Sequence, residues 1–73
     1  MIAIKKETDI EASNVIYNPA ENVRYTVDSY DYDAEWKTEV ARLKPKLPFG
    51  IQKKAFTLSI EELVKLGYKV DND

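Results

Sequence analysis

The sequence predicts a small α+β domain, in which an antiparallel sheet with a central β-hairpin carries two short helices on one face. Three observations predict it. Apolar and polar residues alternate in the first half of the chain, apolar residues recur at helical spacing in two later segments, and Asn, Pro and Gly lie between them. The predicted order is β-β-β-α-β-α-β. A length of 73 residues predicts one compact domain over residues 1–73, with a small core and a frayed C-terminal tail over residues 71–73.

The first three predicted strands come from the alternating segments. Ile2 and Ile4 are separated by a small residue and predict a short first strand. A tight turn is expected at residues 18–19, where Asn precedes Pro, and this turn joins a second strand to a third. The apolar residues of the resulting hairpin are Val15, Tyr17, Val23, Tyr25 and Val27. The two-residue period predicts that one face of the hairpin is buried.

The spacing of apolar residues changes near Asp33 and predicts a first helix. The residues at helical spacing are Tyr32, Trp36, Val40 and Leu43. Asp31 or Asp33 is expected to cap the start of this helix. Pro45 is expected to end it, because proline disfavours helical geometry at the preceding residue and has no N–H to donate.

A second helix is predicted over residues 60–66, with a clear signal at each end. Ser59 and Glu62 have the spacing of a capping box, in which each side chain accepts from the other residue's backbone N–H. Gly67 can adopt the left-handed conformation that closes a helix, and Tyr68 is then expected to fold back on Leu63. Short strands are predicted before and after this helix, over residues 53–58 and 68–70.

The composition excludes several kinds of site. The chain has no cysteine and no histidine, so it lacks disulfides, thiolate metal ligands and the commonest general base. We therefore predict no cofactor, no metal site and no Ser–His or Cys–His catalytic system. No apolar run approaches the roughly 20 residues that cross a bilayer, and the first residues lack the apolar segment of a secretory signal. A cytoplasmic protein without a membrane partner is expected.

Paired acids near the middle of the chain raise the question of catalysis or metal binding. Asp28, Asp31, Asp33 and Glu35 lie within eight residues. The glycine and the terminal glutamate that an EF-hand loop requires are missing at the proper spacing. Carboxylate enzymes need a cleft that holds two acids in different environments, and so small a domain has little volume for one. The sequence therefore predicts a protein that is not an enzyme.

The same acidic segment predicts a binding surface. In it, aspartates alternate with tyrosines, at Asp28, Tyr30, Asp31, Tyr32 and Asp33. Tyrosine supplies rigid contact area and the acids attract a positively charged partner, as in proteins that imitate nucleic acid. The alternative interpretation is that these acids only cap a helix and solvate the surface.

The next segment has the opposite charge. Residues 1–35 hold eight acids and three bases (net −5), whereas residues 36–54 hold six bases and one acid (net +5). Two prolines stiffen this basic segment, and apolar residues between them are candidates for anchoring in a partner. The predicted binding residues here are Arg42, Lys44, Lys46, Leu47 and Phe49. An alternative is that Leu47 and Phe49 fold back on the core.

Other interpretations of the basic segment remain open. A nucleic-acid binder would use its cations to neutralise phosphates. These cations are Arg42, Lys44, Lys46, Lys53 and Lys54. Arg42, Pro45 and Pro48 also match the R-x-x-P-x-x-P spacing that SH3 domains bind. A homo-oligomeric assembly component is a further, purely structural alternative.

We predict, from these patterns together, a non-enzymatic protein-binding module that occupies a surface on a larger protein. Small, acidic, cysteine-free domains are frequent among phage and mobile-element products that inhibit or regulate host machines. The partner expected on this basis is nucleic-acid-processing machinery, such as RNA polymerase or a nuclease.

Overall fold

Six antiparallel strands and one short α-helix make up most of the chain in the computed structural model, which describes residues 1–46 and 54–72. The elements are β1 (Ile2–Ala3), β2 (Val15–Asn18), β3 (Val23–Asp33), β4 (Thr38–Pro45), β5 (Phe56–Ser59), α1 (Ile60–Lys65) and β6 (Lys69–Val70). One turn of 3₁₀ helix lies between β1 and β2, at Glu7–Asp9. The strand order in the sheet is β1-β6-β2-β3-β4-β5. The small domain with an antiparallel sheet is confirmed, and it is mostly sheet.

The first predicted helix is not confirmed, since its residues form the end of β3, the loop after it and the fourth strand. β4 pairs with β3 from Tyr25↔Pro45 to Asp33↔Thr38, and with β5 on its other side. The segment carries two periods at once, because Ala41 and Leu43 also alternate with polar residues. The side chains of Ala41 and Leu43 are both fully buried in the core. Pairing with β3 along the strand, and with β5 at residues 40–43, satisfies the backbone and overrides the helical spacing. The observed order is β-β-β-β-β-α-β.

The second predicted helix is confirmed, together with both of its caps. The Ser59 hydroxyl accepts from the Glu62 N–H at 3.2 Å, and the Glu62 carboxylate accepts from the Ser59 N–H at 3.3 Å. At the other end Gly67 has φ +79°, and the Tyr68 N–H donates to the Leu63 carbonyl at 3.1 Å. These bonds form the Schellman motif. Tyr68 is consequently turned inward and buried.

The core lies between the sheet and α1. Its buried apolar residues are Ile4, Ile10, Ile16, Tyr25, Val27, Ala41, Leu43, Ile60, Leu63 and Tyr68. The Tyr25 ring meets the Phe56 ring edge-on, with 5.2 Å between the centroids. We call the side of the sheet that faces this core the core face, and the opposite side the open face.

A bulge at Asp28 sets which residues of β3 reach the core face. Val27 pairs with Leu43 and Ser29 with Arg42, so Asp28 is the extra residue in β3. Strict alternation from Val27 would turn Ser29 inward and Tyr30 outward. The bulge instead places Tyr30 on the core face, where it packs against the core.

Deletion of Asp28 is expected to leave the fold intact. Without this extra residue the strand pairing becomes regular, and the side chains on both sides of the bulge stay on the same face of the sheet. The free energy of unfolding should change by less than about 2 kcal/mol. Deletion of Thr26, which lies outside the bulge, should unfold the protein, since Val27 would turn towards solvent. Chemical denaturation followed by circular dichroism measures both variants. If the two deletions lowered the free energy of unfolding equally, the role of the bulge would be contradicted.

The C-terminal residues contact the sheet. The Asp71 N–H donates to the Val15 carbonyl at 2.7 Å. The Asn72 side-chain oxygen accepts from the Val15 N–H at 2.8 Å. The carboxylate of Asp71 is buried and pairs with Arg24 at 2.7 Å. Residue 73 lies outside the described ranges.

Within residues 1–46 and 54–72, no helix is both long and apolar enough to span a bilayer.

Candidate functional site

The distal half of the β3–β4 hairpin extends beyond the rest of the sheet. Among the described residues, β5 pairs with β4 only as far as Val40, and β2 pairs with β3 only as far as Thr26. Residues 32–39 therefore form a two-stranded extension, which we call the hairpin arm. The eleven residues of β3 span roughly 33 Å at about 3.3 Å per residue, close to the longest dimension of the molecule, 36 Å. The arm thus forms one end of an elongated domain.

Asp33 shapes the tip of the hairpin arm. Its side-chain oxygen accepts from the N–H groups of Glu35 at 2.8 Å and Trp36 at 3.1 Å. Its carbonyl accepts from the Lys37 N–H at 2.7 Å, and Lys37 adopts a left-handed conformation with φ 57°. These bonds hold a four-residue loop between the two strands. Asp33 therefore caps a turn, where the sequence predicted a helix cap.

Two large aromatic side chains are exposed on the hairpin arm. Tyr32 has 62% of its surface exposed and Trp36 has 48%. Tyr32 lies on β3 opposite Glu39, and Trp36 lies in the loop. Large aromatic side chains are frequent anchors in protein interfaces. These two lie in or beside a loop that Asp33 holds in place.

The arm and the bulge beside it carry an excess of negative charge. Residues 28–39 include five acids and one base, Lys37, which gives a net charge of −4. Burial, and then the nearby carboxylates of Glu39 and Glu7, raises the pKa of Tyr30 to about 12. This charge attracts a basic surface over the distance of a Debye length, about 8 Å at physiological salt.

The five residues predicted for the acidic surface have different positions. Asp31 and Tyr32 are exposed, and Asp28 is exposed at the bulge. Tyr30 is half-buried against the core, and its hydroxyl donates to the Glu7 carbonyl at 2.9 Å. Asp33 is half-buried and holds the tip. Three of the five are therefore exposed, and two are half-buried in contacts within the chain.

The sequence grouped Trp36 with residues at helical spacing, whereas the structure places it in the exposed loop of the hairpin arm. The alternation of Ala41 and Leu43 with Arg42 and Lys44 was the pattern that could have revealed a strand there. A strand would have placed Trp36 in a connecting loop.

The predicted basic residues lie on β4. Arg42 and Lys44 belong to the strand, Lys46 directly follows it, and all three are exposed. Arg42 pairs with Ser29 on β3 and with Thr57 on β5, a position that does not fit a polyproline helix bound by an SH3 domain. Leu47 and Phe49 lie outside the described residues, as does Lys53.

A polar cavity of about 280 Å³ lies near the 3₁₀ turn, on another part of the molecule. Polar side chains that line it already accept hydrogen bonds from the protein's own backbone. Asp9 accepts from the backbone N–H groups of Lys5 and Lys6, and Asn14 accepts from that of Glu11. Within the part of the chain that the structure describes, no three Asp or Glu side chains come together to hold a metal ion.

No protein-family model, curated protein or solved structure matches this chain.

Proposed function

We propose that this protein is a non-enzymatic binding module whose hairpin arm docks on a basic surface of a larger protein. The observation that carries the proposal is the pair of exposed aromatics, Tyr32 and Trp36, on an acidic arm that extends beyond the sheet. Large aromatics at the centre of an interface supply affinity, and charges around them supply rate and orientation.

Docking proceeds in two stages under this proposal. The net negative charge of residues 28–39 first steers the arm to a positive surface, which raises the association rate. Trp36 and Tyr32 then enter apolar pockets of the partner. Since Asp33 already fixes the loop, little conformational entropy is lost in this second stage.

The absence of histidine and cysteine from the sequence supports the non-enzymatic part of the proposal, as does the small size of the domain. We extend the proposal to a cytoplasmic regulator or inhibitor of the phage or mobile-element type. Its partner would be a host machine with a nucleic-acid-binding surface, such as RNA polymerase or a nuclease. The support for this extension is the acidic, cysteine-free composition and the negative arm, which resembles a polyanion in charge.

Charge reversal at Glu35 on the arm and at Asp31 beside it tests the steering stage. The double substitution Asp31→Lys and Glu35→Lys should slow association with a partner captured from a native lysate by tenfold or more at low salt, with little effect at high salt. Surface plasmon resonance at two salt concentrations measures the rate. Glu61→Lys, an exposed acid at the start of α1, is the control and should leave the rate within about twofold. An equal change in both variants would contradict docking through the arm.

A further inference from the structure

Three cations form a straight row on the open face of the sheet. Arg42, Lys44 and Lys46 occupy every second position along the chain. Ala41, before Arg42, and Leu43, between Arg42 and Lys44, are buried in the core. Successive cations along a strand are therefore about 6.7 Å apart, and the row is about 13 Å long. This spacing is close to that of successive phosphates in an extended nucleic-acid strand.

Among the described residues, the cations of this row form no ion pair within 4.0 Å. Across the sheet, Lys44 lies opposite Thr26, and Arg42 lies between Ser29 and Thr57. In residues 1–46 and 54–72, the one ion pair within 4.0 Å joins Arg24 to Asp71. The positive charge of the row is thus available to an anionic ligand.

Arg24 lies beside the end of this row, on the neighbouring strand. The Lys46 N–H donates to the Arg24 carbonyl at 2.9 Å. The Arg24 guanidinium is held from two sides: its Nε donates to Asp71 at 2.7 Å, and its Cζ lies 5.1 Å from the centroid of the Tyr17 ring. Half of the Arg24 side chain is nonetheless exposed. A fixed, half-exposed guanidinium plane is a surface on which a nucleobase stacks.

We propose that the open face binds a short stretch of single-stranded nucleic acid, with phosphates on Arg42, Lys44 and Lys46 and a base stacked on Arg24. Regular spacing of the cations and a flat stacking group beside them match a nucleotide better than an acidic peptide, which has no flat group tied to each charge. Asp31 and Asp33 lie further along the same face and repel phosphates. The site therefore ends at Arg42 and holds about three phosphates.

Fluorescence anisotropy of a labelled single-stranded oligothymidine tests the proposal. Three phosphate contacts predict a salt slope of about −2, so a fourfold rise in salt should weaken binding about twentyfold. Arg42→Gln and Lys44→Gln should each make the slope shallower by about 0.7. Arg24→Lys keeps the charge but removes the plane, so it should weaken binding at least about fivefold while leaving the slope unchanged. Thermal unfolding of each variant verifies that it is folded.

Lys65→Gln is the matched control, because Lys65 is an exposed cation on α1, on the other side of the sheet. It should change neither affinity nor slope. An equal effect of Lys65→Gln, tighter binding of duplex than of single strand, or displacement by polyglutamate at equal charge would each overturn the proposal. The arm variant Asp31→Lys/Glu35→Lys is not needed for this test, so failure here leaves the proposed docking function standing.

Discussion

Replacing Leu63 with alanine is expected to lower the free energy of unfolding by about 2 to 5 kcal/mol. Leu63 is fully buried and packs α1 against the sheet. Removing its side chain reduces the buried apolar surface and leaves a cavity. The strands cannot readily move to close this cavity, because they are hydrogen-bonded to their neighbours in the sheet. A domain of this length has a total stability of about 4 to 11 kcal/mol, so the substitution should remove a large part of it.

Leu66→Ala is the matched control for this substitution. It makes the same chemical change one turn along at the end of the same helix, but Leu66 is 49% exposed. Its effect should stay within about 0.5 kcal/mol. Urea denaturation followed by tryptophan fluorescence and by circular dichroism measures both. If Leu66→Ala destabilised the protein as much as Leu63→Ala, α1 would not pack on the sheet through Leu63.

Loss of either exposed aromatic on the hairpin arm is expected to weaken binding to the partner strongly. Trp36→Ala and Tyr32→Ala should each raise the Kd by roughly thirtyfold or more, which corresponds to at least about 2 kcal/mol. The effect should fall mainly on the dissociation rate, because these residues act after the encounter. Isothermal titration calorimetry against the captured partner gives the Kd, and surface plasmon resonance gives the rates.

The stability of these two variants separates binding from folding. Tyr32 and Trp36 lie outside the core, so their removal should shift the free energy of unfolding by less than about 1 kcal/mol. Val64→Ala, at an exposed apolar residue on α1, should leave the Kd unchanged. A Kd that stays within twofold in both arm variants would show that the arm is not the docking element.

The local signals in the sequence predicted the segment around α1 well. A capping box needs only Ser59 and Glu62 three residues apart, and a Schellman motif needs only Gly67 after the last turn. The hairpin of β2 and β3 was likewise predictable, because the turn at Asn18 and the alternation around Tyr25 agree with each other. In both cases the residues that specify the structure are neighbours in the chain.

The segment that contains most of the candidate site was predicted as the wrong element. Residues 38–45 satisfy a helical and a strand period at once, so their own pattern does not decide between them. The Asp28 bulge was also missed, since only the pairing of β3 with β4 reveals an extra residue. Trp36 was consequently predicted as part of a helix, and the structure places it at the tip of the arm.

The amino-acid sequence by itself determined the small antiparallel domain, the caps of α1, the lack of histidine and cysteine chemistry, and the opposite charges of two adjacent segments. The tertiary structure decided that parts of these two segments pair as two strands of one hairpin. Acids and exposed aromatics lie at the distal end of this hairpin, and a row of cations lies on its open face. The physical reason is the range of the interactions involved. Caps and turns form between residues a few positions apart, whereas the choice of strand over helix and the position of a bulge depend on backbone hydrogen bonds to other strands.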